Sequence, residues 1–174
     1  MELIETTRRE LVRQLDCKVQ ALLGRAFPDV VSENGDYYAL YETPAVIMIL
    51  QRGEQVIGHR CAYQRRVIIA GEPTTIGMIG GVAVAPYHRR KGLGRTLVQR
   101  AHGYLRQRSM PFSILFACEP RVYLSSGYKL MQNEMRFRDT DGAWKTFVYR
   151  GSMYAELSAR SWPNQVVDLC GAVV

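Results

Sequence analysis

The chain has 174 residues, 47% of them hydrophobic, with 23 Lys and Arg against 16 Asp and Glu, for a formal net charge of +7. That length predicts one domain with its own core. The apolar content excludes a disordered chain, and no apolar run approaches the roughly 20 residues of a membrane helix. The whole basic excess lies in one segment: Arg89, Arg90, Lys91, Arg95, Arg100, Arg106 and Arg108 stand between Pro86 and Met110 with no acidic residue among them. A globally basic chain suggests nucleic acid; a charge so confined fits a small polyanion better, and no nucleic-acid partner is expected. The opening MELIETTRRELV lacks the basic start and apolar core of an export signal, so a cytoplasmic protein is expected. Cys17, Cys61, Cys118 and Cys170 are widely spread without a Cys-x-x-Cys pair, which predicts buried free thiols and no metal.

Thr7-x-x-Glu10 has the pattern of a capping box, and Leu11, Leu15, Val19, Leu22 and Leu23 follow at helical spacing. The spacing predicts an amphipathic helix over 7–23, ended by Gly24. Positions 27–41, with Pro28, Asp29, Glu33, Asn34, Gly35 and Asp36, read as a loop or short helix. Three strands follow, over 46–51, 56–69 and 75–85, turned at Gly53-Glu54 and Gly71-Glu72-Pro73 into an antiparallel meander. Leu93, Leu97, Ala101, Tyr104 and Leu105 make a helical stripe, and 112–117 reads as a buried strand. One or two helical turns are expected over 123–127, then strands over 128–138 and 144–149 with Asp141-Gly142 between them. The end, 166–174, is unusually apolar and suits either a pocket wall or a homodimer contact.

The most informative stretch runs from Gly80 to Gly94, GGVAVAPYHRRKGLG. An apolar strand passes through Pro86 into a basic turn, then through Gly92 and Gly94 into a helix. Glycines let backbone approach a ligand, and the unpaired N–H groups of a helix N-terminus attract negative charge, so this is a site for a bulky anion. A Gly-x-Gly-x-x-Gly fingerprint and a P-loop are both absent.

Arg89-x-x-Gly92-x-Gly94 resembles the Arg/Gln-x-x-Gly-x-Gly/Ala signature of the GNAT superfamily of acyl-CoA N-acyltransferases. The resemblance implies an α+β fold, with a central mixed and largely antiparallel sheet flanked by helices, and the order of elements agrees with it. The strand over 112–117 would then lie parallel to that over 79–85. The implied cosubstrate is acetyl-CoA. Its pyrophosphate would fall to the turn Arg89, Arg90, Lys91, Gly92, Leu93, Gly94 and Arg95, with Arg90 and Lys91 either there or at the rim near the 3′-phosphate. The backbone of Val82, Ala83 and Val84 would hold the pantetheine arm as an added strand. An N–H of Val82 or Val84 would touch the thioester oxygen.

Acyl transfer to an amine also needs a proton acceptor and a proton donor. An alkylammonium with a pKa of about 10.4 leaves only about one amine in a thousand neutral at pH 7. Val122-Tyr123-Leu124-Ser125-Ser126-Gly127-Tyr128 resembles the second signature of the superfamily, which puts Tyr123 in the place of the catalytic acid that protonates the thiolate. Val122 stands where the first aromatic is usual. For the base, the candidates are Glu33, Asp36, Glu119, His59, His88, Asp168, the carboxylate of Val174, or ordered water.

Gln55 to Val84, with the Gln64-Arg65-Arg66 corner, is similar to the aminoglycoside 2′-N-acetyltransferases, as are the 121–127 region and the end around Cys170. That resemblance implies a cationic aminosugar acceptor and antibiotic resistance. Glu33, Asp36, Glu119, Asp168 and Val174 would then line the acceptor site. Gly80 stands where the subgroup carries Glu, and Val174 where it ends in Trp. Those departures bring forward kasugamycin, which lacks the deoxystreptamine ring. A protein or peptide amine, another small amine, a fatty-acyl transfer to an amino sugar, and a non-catalytic binder of the same fold stay open.

Overall fold

A computed structural model describes residues 1–30, 35–40, 42–139 and 142–171. The chain divides into two compact units, Met1–Tyr63 with Ile79–Ala101, and Gln64–Met78 with His102–Val174. The long strands β3 (Gln55–Ile69) and β4 (Glu72–Val84) and the helix α2 (Leu93–Gln107) each contribute to both.

In the first unit, β1 (Glu2–Thr6) lies antiparallel to β2 (Val46–Arg52), with Leu3 opposite Leu50 and Glu5 opposite Met48. Next, β2 lies antiparallel to β3, from Val46↔Ala62 to Arg52↔Gln55, with a register shift at Leu50/Gln51. Val46 to Leu50 are all buried, as a near-continuous apolar run predicts for a strand covered on both faces. The helix α1 (Arg13–Ala26) buries Val19, Leu22 and Leu23. Leu97 and Val98 do the same for the start of α2, and a Cβ on Gly58 of β3 would stand 3.1 Å from Leu97 Cδ1.

The helix expected over 7–23 begins only at Arg13. Thr7 and Glu10 do make the reciprocal bonds of a capping box, at 3.2 and 3.4 Å, but these close a single turn with Leu11 N–H on the Thr7 carbonyl. Val12 is then extended, and α1 starts without a side-chain cap. Strand β1 was not legible, because its five residues alternate too weakly to stand out. The expected loop over 27–41 ends in a 3₁₀ turn, Tyr37–Leu40.

In the second unit the strand order is β6-β9-β5-β4-β3-β10-β7-β8. Here β5 (Phe112–Phe116) is parallel to β4, as expected for a helical crossover, but the paired residues are Gly77↔Ser113 and Met78↔Ile114, just before the stretch anticipated. The expected strand over 128–138 is two strands: β6 (Lys129–Leu130) pairs with β9 (Ser152–Glu156), and β7 (Met135–Arg138) with β8 (Trp144–Phe147) and β10 (Val167–Asp168). Buried Asn133 explains the break. Its amide donates to the carbonyls of Pro163 and Gln165 at 2.9 and 2.5 Å, and its oxygen accepts from Trp162 Nε1 at 2.9 Å. Within the apolar end, β10 lies antiparallel to β3, and Val167 and Leu169 are fully buried. Gly142 turns β7 into β8 with φ +81°, while Asp141 lies outside the described residues.

The architecture is α+β, with a mixed and largely antiparallel sheet flanked by helices, as expected. Of the cysteines only Cys61 is buried; Cys17, Cys118 and Cys170 are exposed, which corrects the expectation of buried thiols. Among the described residues no helix is long and apolar enough to cross a membrane.

Two glycines test this packing with opposite signs. A Cβ on Gly151 would lie 1.8 Å from the Ala117 carbonyl oxygen, so backbone must move. Gly151→Ala is expected to destabilise by about 3 kcal/mol or more. A Cβ on Gly24 in α1 meets nothing within 4 Å, so Gly24→Ala is expected to stabilise by about 0.5–1 kcal/mol. Urea unfolding of the two variants checks both.

Candidate active site

The basic turn follows directly from the end of β4. Ala85 N–H donates to the Ile57 carbonyl at 2.9 Å, and Pro86–His88 form a 3₁₀ turn. Arg89 Nε donates to the Val84 carbonyl and Lys91 Nζ to the Tyr87 carbonyl, each at 3.0 Å. Arg90 and Gly92 both take left-handed backbone, φ +59° and +77°. The first helical bond of α2 runs from Thr96 N–H to the Gly92 carbonyl at 3.0 Å. The N–H groups of Leu93, Gly94 and Arg95 therefore have no acceptor within the helix. Arg89, Arg90, Lys91 and Arg95 are exposed around them. Unpaired amides, the positive end of a helix dipole and nearby cations together attract a multiply charged anion.

Gly94 sharpens this. Its ideal Cβ would touch only Val84 Cγ2, at an ordinary 3.9 Å. Glycine inside a helix costs about 1 kcal/mol relative to alanine, and nothing in the packing asks for it. Its absent side chain keeps the helix N-terminus open to close approach.

Upstream of the turn, positions 79–84 of β4 have β3 on one side. Within this unit no described strand covers the other side. Gly81, within β4, takes left-handed backbone with φ +59°. Its carbonyl meets Nδ1 of His59, on β3, at 2.7 Å, and Nε2 of His59 meets the Tyr38 hydroxyl at 2.6 Å. His59 is fully buried, and burial pushes its pKa down to about 4 against the raising effect of the Gly81 carbonyl. A carbonyl only accepts, so Nδ1 carries the proton, Nε2 accepts, and the Tyr38 hydroxyl donates to it. Both ring nitrogens are occupied, so His59 is not free to serve as the base. Next to it, Cys61 Sγ lies 3.2 Å from the Tyr63 hydroxyl and 3.4 Å from the Gly80 carbonyl, with its thiol pushed up to about 11 by burial. A Cβ on Gly80 would stand 3.3 Å from Tyr63 Cε2.

Tyr123 belongs to the second unit, on the short helix α3 (Arg121–Leu124). Burial, and then the nearby Cys118 thiol, raise its pKa to about 12, so at neutral pH the phenol keeps its proton. Its ring meets Tyr128 edge-on at 6.2 Å, and Tyr128 is itself fixed by a 2.6 Å bond to Ser113 Oγ.

Three of the carboxylates expected at the acceptor, Asp36, Asp168 and Glu119, have partners within their own units. Asp36, in the first unit, accepts from Arg8 at 2.9 Å and from Gln20 and the Tyr38 N–H at 3.0 Å. Asp168, in the second, accepts from Arg136 at 3.2 Å and from the Cys170 N–H at 2.8 Å. Glu119 takes the Arg121 N–H at 3.4 Å, at the head of α3. Glu33 and Val174 lie outside the described residues. Among the described residues no cluster of His, Cys, Asp and Glu could hold a metal ion. Tyr38 was missed by sequence reasoning. Its role depends on a partner 21 residues away, and no local spacing carries that signal.

Neutral His59 makes stability depend on pH. Its pKa is depressed in the fold, so the unfolded chain binds the extra proton between about pH 6.5 and 4. Stability is therefore complete above that window and is lost as pH falls through it, by about 3 kcal/mol at the acid end. Unfolding free energies across this range should fall more steeply for the wild type than for His59→Asn.

Residues 16–131 match the family described as acetyltransferase (GNAT) domain. Among solved structures, the GNAT family N-acetyltransferase YhbS from Escherichia coli, in complex with CoA, is 17% identical with a TM-score of 0.71, over 97% of this chain and 90% of that one. An aminoglycoside 6′-N-acetyltransferase complexed with coenzyme A is 13% identical with a TM-score of 0.65, over 93% and 100%. A probable N-acyltransferase from Enterococcus faecalis is 18% identical with a TM-score of 0.63, over 76% of this chain and 33% of that one. The chain thus spans about a third of the length of this neighbour and of others like it. No curated protein matches the chain in sequence. At these identities the structural neighbours speak for the fold, while the family match takes in well over half of the chain: the protein belongs to the GNAT acetyltransferase domain family.

Proposed function

We propose that this chain, as one GNAT domain, binds acetyl-CoA and transfers the acetyl group to an amino group of a cationic aminosugar, an aminoglycoside. The observation that carries the donor half is Gly94, a helix glycine for which the packing gives no reason, beside amides without helical acceptors. Coenzyme A has the diphosphate that such a site suits, and solved neighbours of the same fold are described as complexes with it. When bound, acetyl-CoA supplies the thioester that serves as acetyl donor.

The chain's own residues divide the remaining work. The N–H groups of Leu93 to Arg95 hold the diphosphate, with Arg89, Arg90, Lys91 and Arg95 neutralising its charge. The backbone of Val82, Ala83 and Val84 binds the pantetheine arm as an added strand along the side of β4 away from β3. Tyr123, kept neutral by burial, gives its proton to the departing thiolate. Since His59 is occupied, the amine proton passes to His88, to a carboxylate or through water.

A cationic sugar should be met by carboxylates, for which Asp36, Glu119, Asp168, Glu33 and the end of the chain at Val174 are the candidates. One structural neighbour is named as an aminoglycoside acetyltransferase. The finer reading is 2′-N-acetylation, with kasugamycin as acceptor. Where the subgroup carries Glu, Gly80 lies against the buried Tyr63 ring and supplies no carboxylate.

Thiol release from acetyl-CoA, with kasugamycin, deoxystreptamine aminoglycosides and lysine peptides offered separately, tests the assignment. Turnover with one antibiotic class is the expected result. Turnover with peptides alone would move the acceptor to a protein amine, and CoA binding without any turnover would leave a binder. Gly94→Ala is expected to raise the KM for acetyl-CoA about tenfold while leaving the fold as stable or slightly more so. Tyr123→Phe should lower kcat about 100-fold with CoA affinity unchanged.

A further inference from the structure

The peptide bond between Gly81 and Val82 is held at its carbonyl by a chain of hydrogen bonds that runs through the core of the first unit. The Gly81 carbonyl accepts from His59 Nδ1 at 2.7 Å, and His59 Nε2 accepts from the Tyr38 hydroxyl at 2.6 Å. A trans peptide is planar, so its C=O and N–H point in opposite directions. Because His59 draws the Gly81 carbonyl toward itself, it turns the Val82 N–H away from itself and from Tyr38. We propose that His59, backed by Tyr38, is a positioning residue whose bond to the Gly81 carbonyl fixes the direction of the Val82 N–H for polarising the thioester oxygen. The inference rests on the acetyl-CoA reading above and deepens it.

Several features make this lock specific. Glycine at 81 is required twice over. Its φ is +59°, and a Cβ would stand 3.0 Å from His59 Cε1 and 3.3 Å from Tyr37 Cε1. The ring cannot swing freely, because His59 is fully buried and paired across β2 with Ile49. The tautomer is set from both ends, by an acceptor at Nδ1 and a phenol at Nε2. Tyr38 is held in turn: its N–H donates to Asp36 at 3.0 Å, Asp36 pairs with Arg8 at 2.9 Å, and Arg8 lies 5.1 Å over the Tyr38 ring. Asp36 and Arg8 thus secure the far end of the chain that aims the amide. A preorganised donor is worth most when it does not have to reorient during the reaction, and loss of one such donor costs about 10²–10³ in kcat.

The test uses the full chain with acetyl-CoA and the best amine found for it. His59→Leu, of similar volume, removes the donor to Gly81; His59→Asn keeps an N–H near the place of Nδ1; Tyr38→Phe removes one oxygen. The expected result is a loss in kcat of about 10- to 100-fold in His59→Leu. Most of it should return in His59→Asn, and Tyr38→Phe should lose less, about 3- to 10-fold. The calorimetric Kd for CoA, which carries no acyl oxygen, should change less than about threefold in all of them. The proposal is overturned if His59→Leu keeps its kcat, if His59→Asn is as impaired as His59→Leu, or if CoA affinity falls in step with kcat, which marks a merely structural role. A wild-type chain that turns over no amine sinks the acetyltransfer reading itself, and this inference with it, whereas an active wild type with an unaffected His59→Leu sinks the inference alone. Should His59→Leu fail to fold, Tyr38→Phe and His59→Asn still decide: an unchanged kcat in Tyr38→Phe together with an impaired His59→Asn overturns the proposal.

Discussion

A left-handed glycine in the middle of a strand is the constraint on which the first unit depends. Gly81 cannot continue the ladder of β4 in the ordinary way, and its carbonyl needs a partner inside the protein, where an unpaired one would cost about 1–3 kcal/mol. His59 supplies that partner only if it is neutral and protonated on Nδ1, and that state needs a donor at Nε2. Tyr38 supplies it only if its 3₁₀ turn is held in place. Asp36 holds it there, with Gln20 of α1 reaching both Asp36 and the Tyr37 N–H. A local backbone requirement in β4 is thereby passed through β3 to α1.

Charge and geometry do different jobs at the basic turn. Arg89, Arg90, Lys91 and Arg95 are exposed, and exposed charges are screened over about 8 Å at physiological salt. Exposed pairs are worth roughly 0–1 kcal/mol each. Such cations raise the rate of encounter with a polyanion more than they discriminate among polyanions. In the proposed site, discrimination falls to the amides at the start of α2, which follow the left-handed turns at Arg90 and Gly92. On the proposed reading, the cations draw the anion in and the backbone around Gly92 and Gly94 fits it.

Legibility in the sequence followed the range of the interactions. The meander, the crossover helix and the basic turn were readable because each is set by neighbours within a few residues: apolar runs, Gly53, Gly71, Pro86, Gly92. The start of α1 was misplaced because a true capping box, Thr7 with Glu10, closed a lone turn and not the helix. The break between β6 and β7 was invisible because it is made by Asn133 reaching carbonyls of residues 163 and 165. In the site, the glycines and Tyr123 stand in recognisable motifs. The partnership of Tyr38, His59 and Gly81 does not, since three distant positions meet only once β3 and β4 lie side by side. His59 stood among the base candidates on residue type alone, and its burial is what removes it.

The same burial decides what kind of environment surrounds the Gly81–Val82 peptide. Desolvation raises the pKa of the Tyr38 and Tyr63 phenols and of the Cys61 thiol, and it lowers that of His59. Each shift favours the neutral form. A group that stays neutral contributes a fixed dipole and not a charge, and a fixed dipole needs no counter-ion and no reorganisation when charge appears nearby. Had His59 been protonated, it would bring a buried cation beside an already buried Arg60, at several kcal/mol of desolvation. Had it been the other tautomer, the Gly81 carbonyl would face a lone pair. The network has one low-energy proton arrangement, and that arrangement fixes the direction of the Gly81–Val82 peptide.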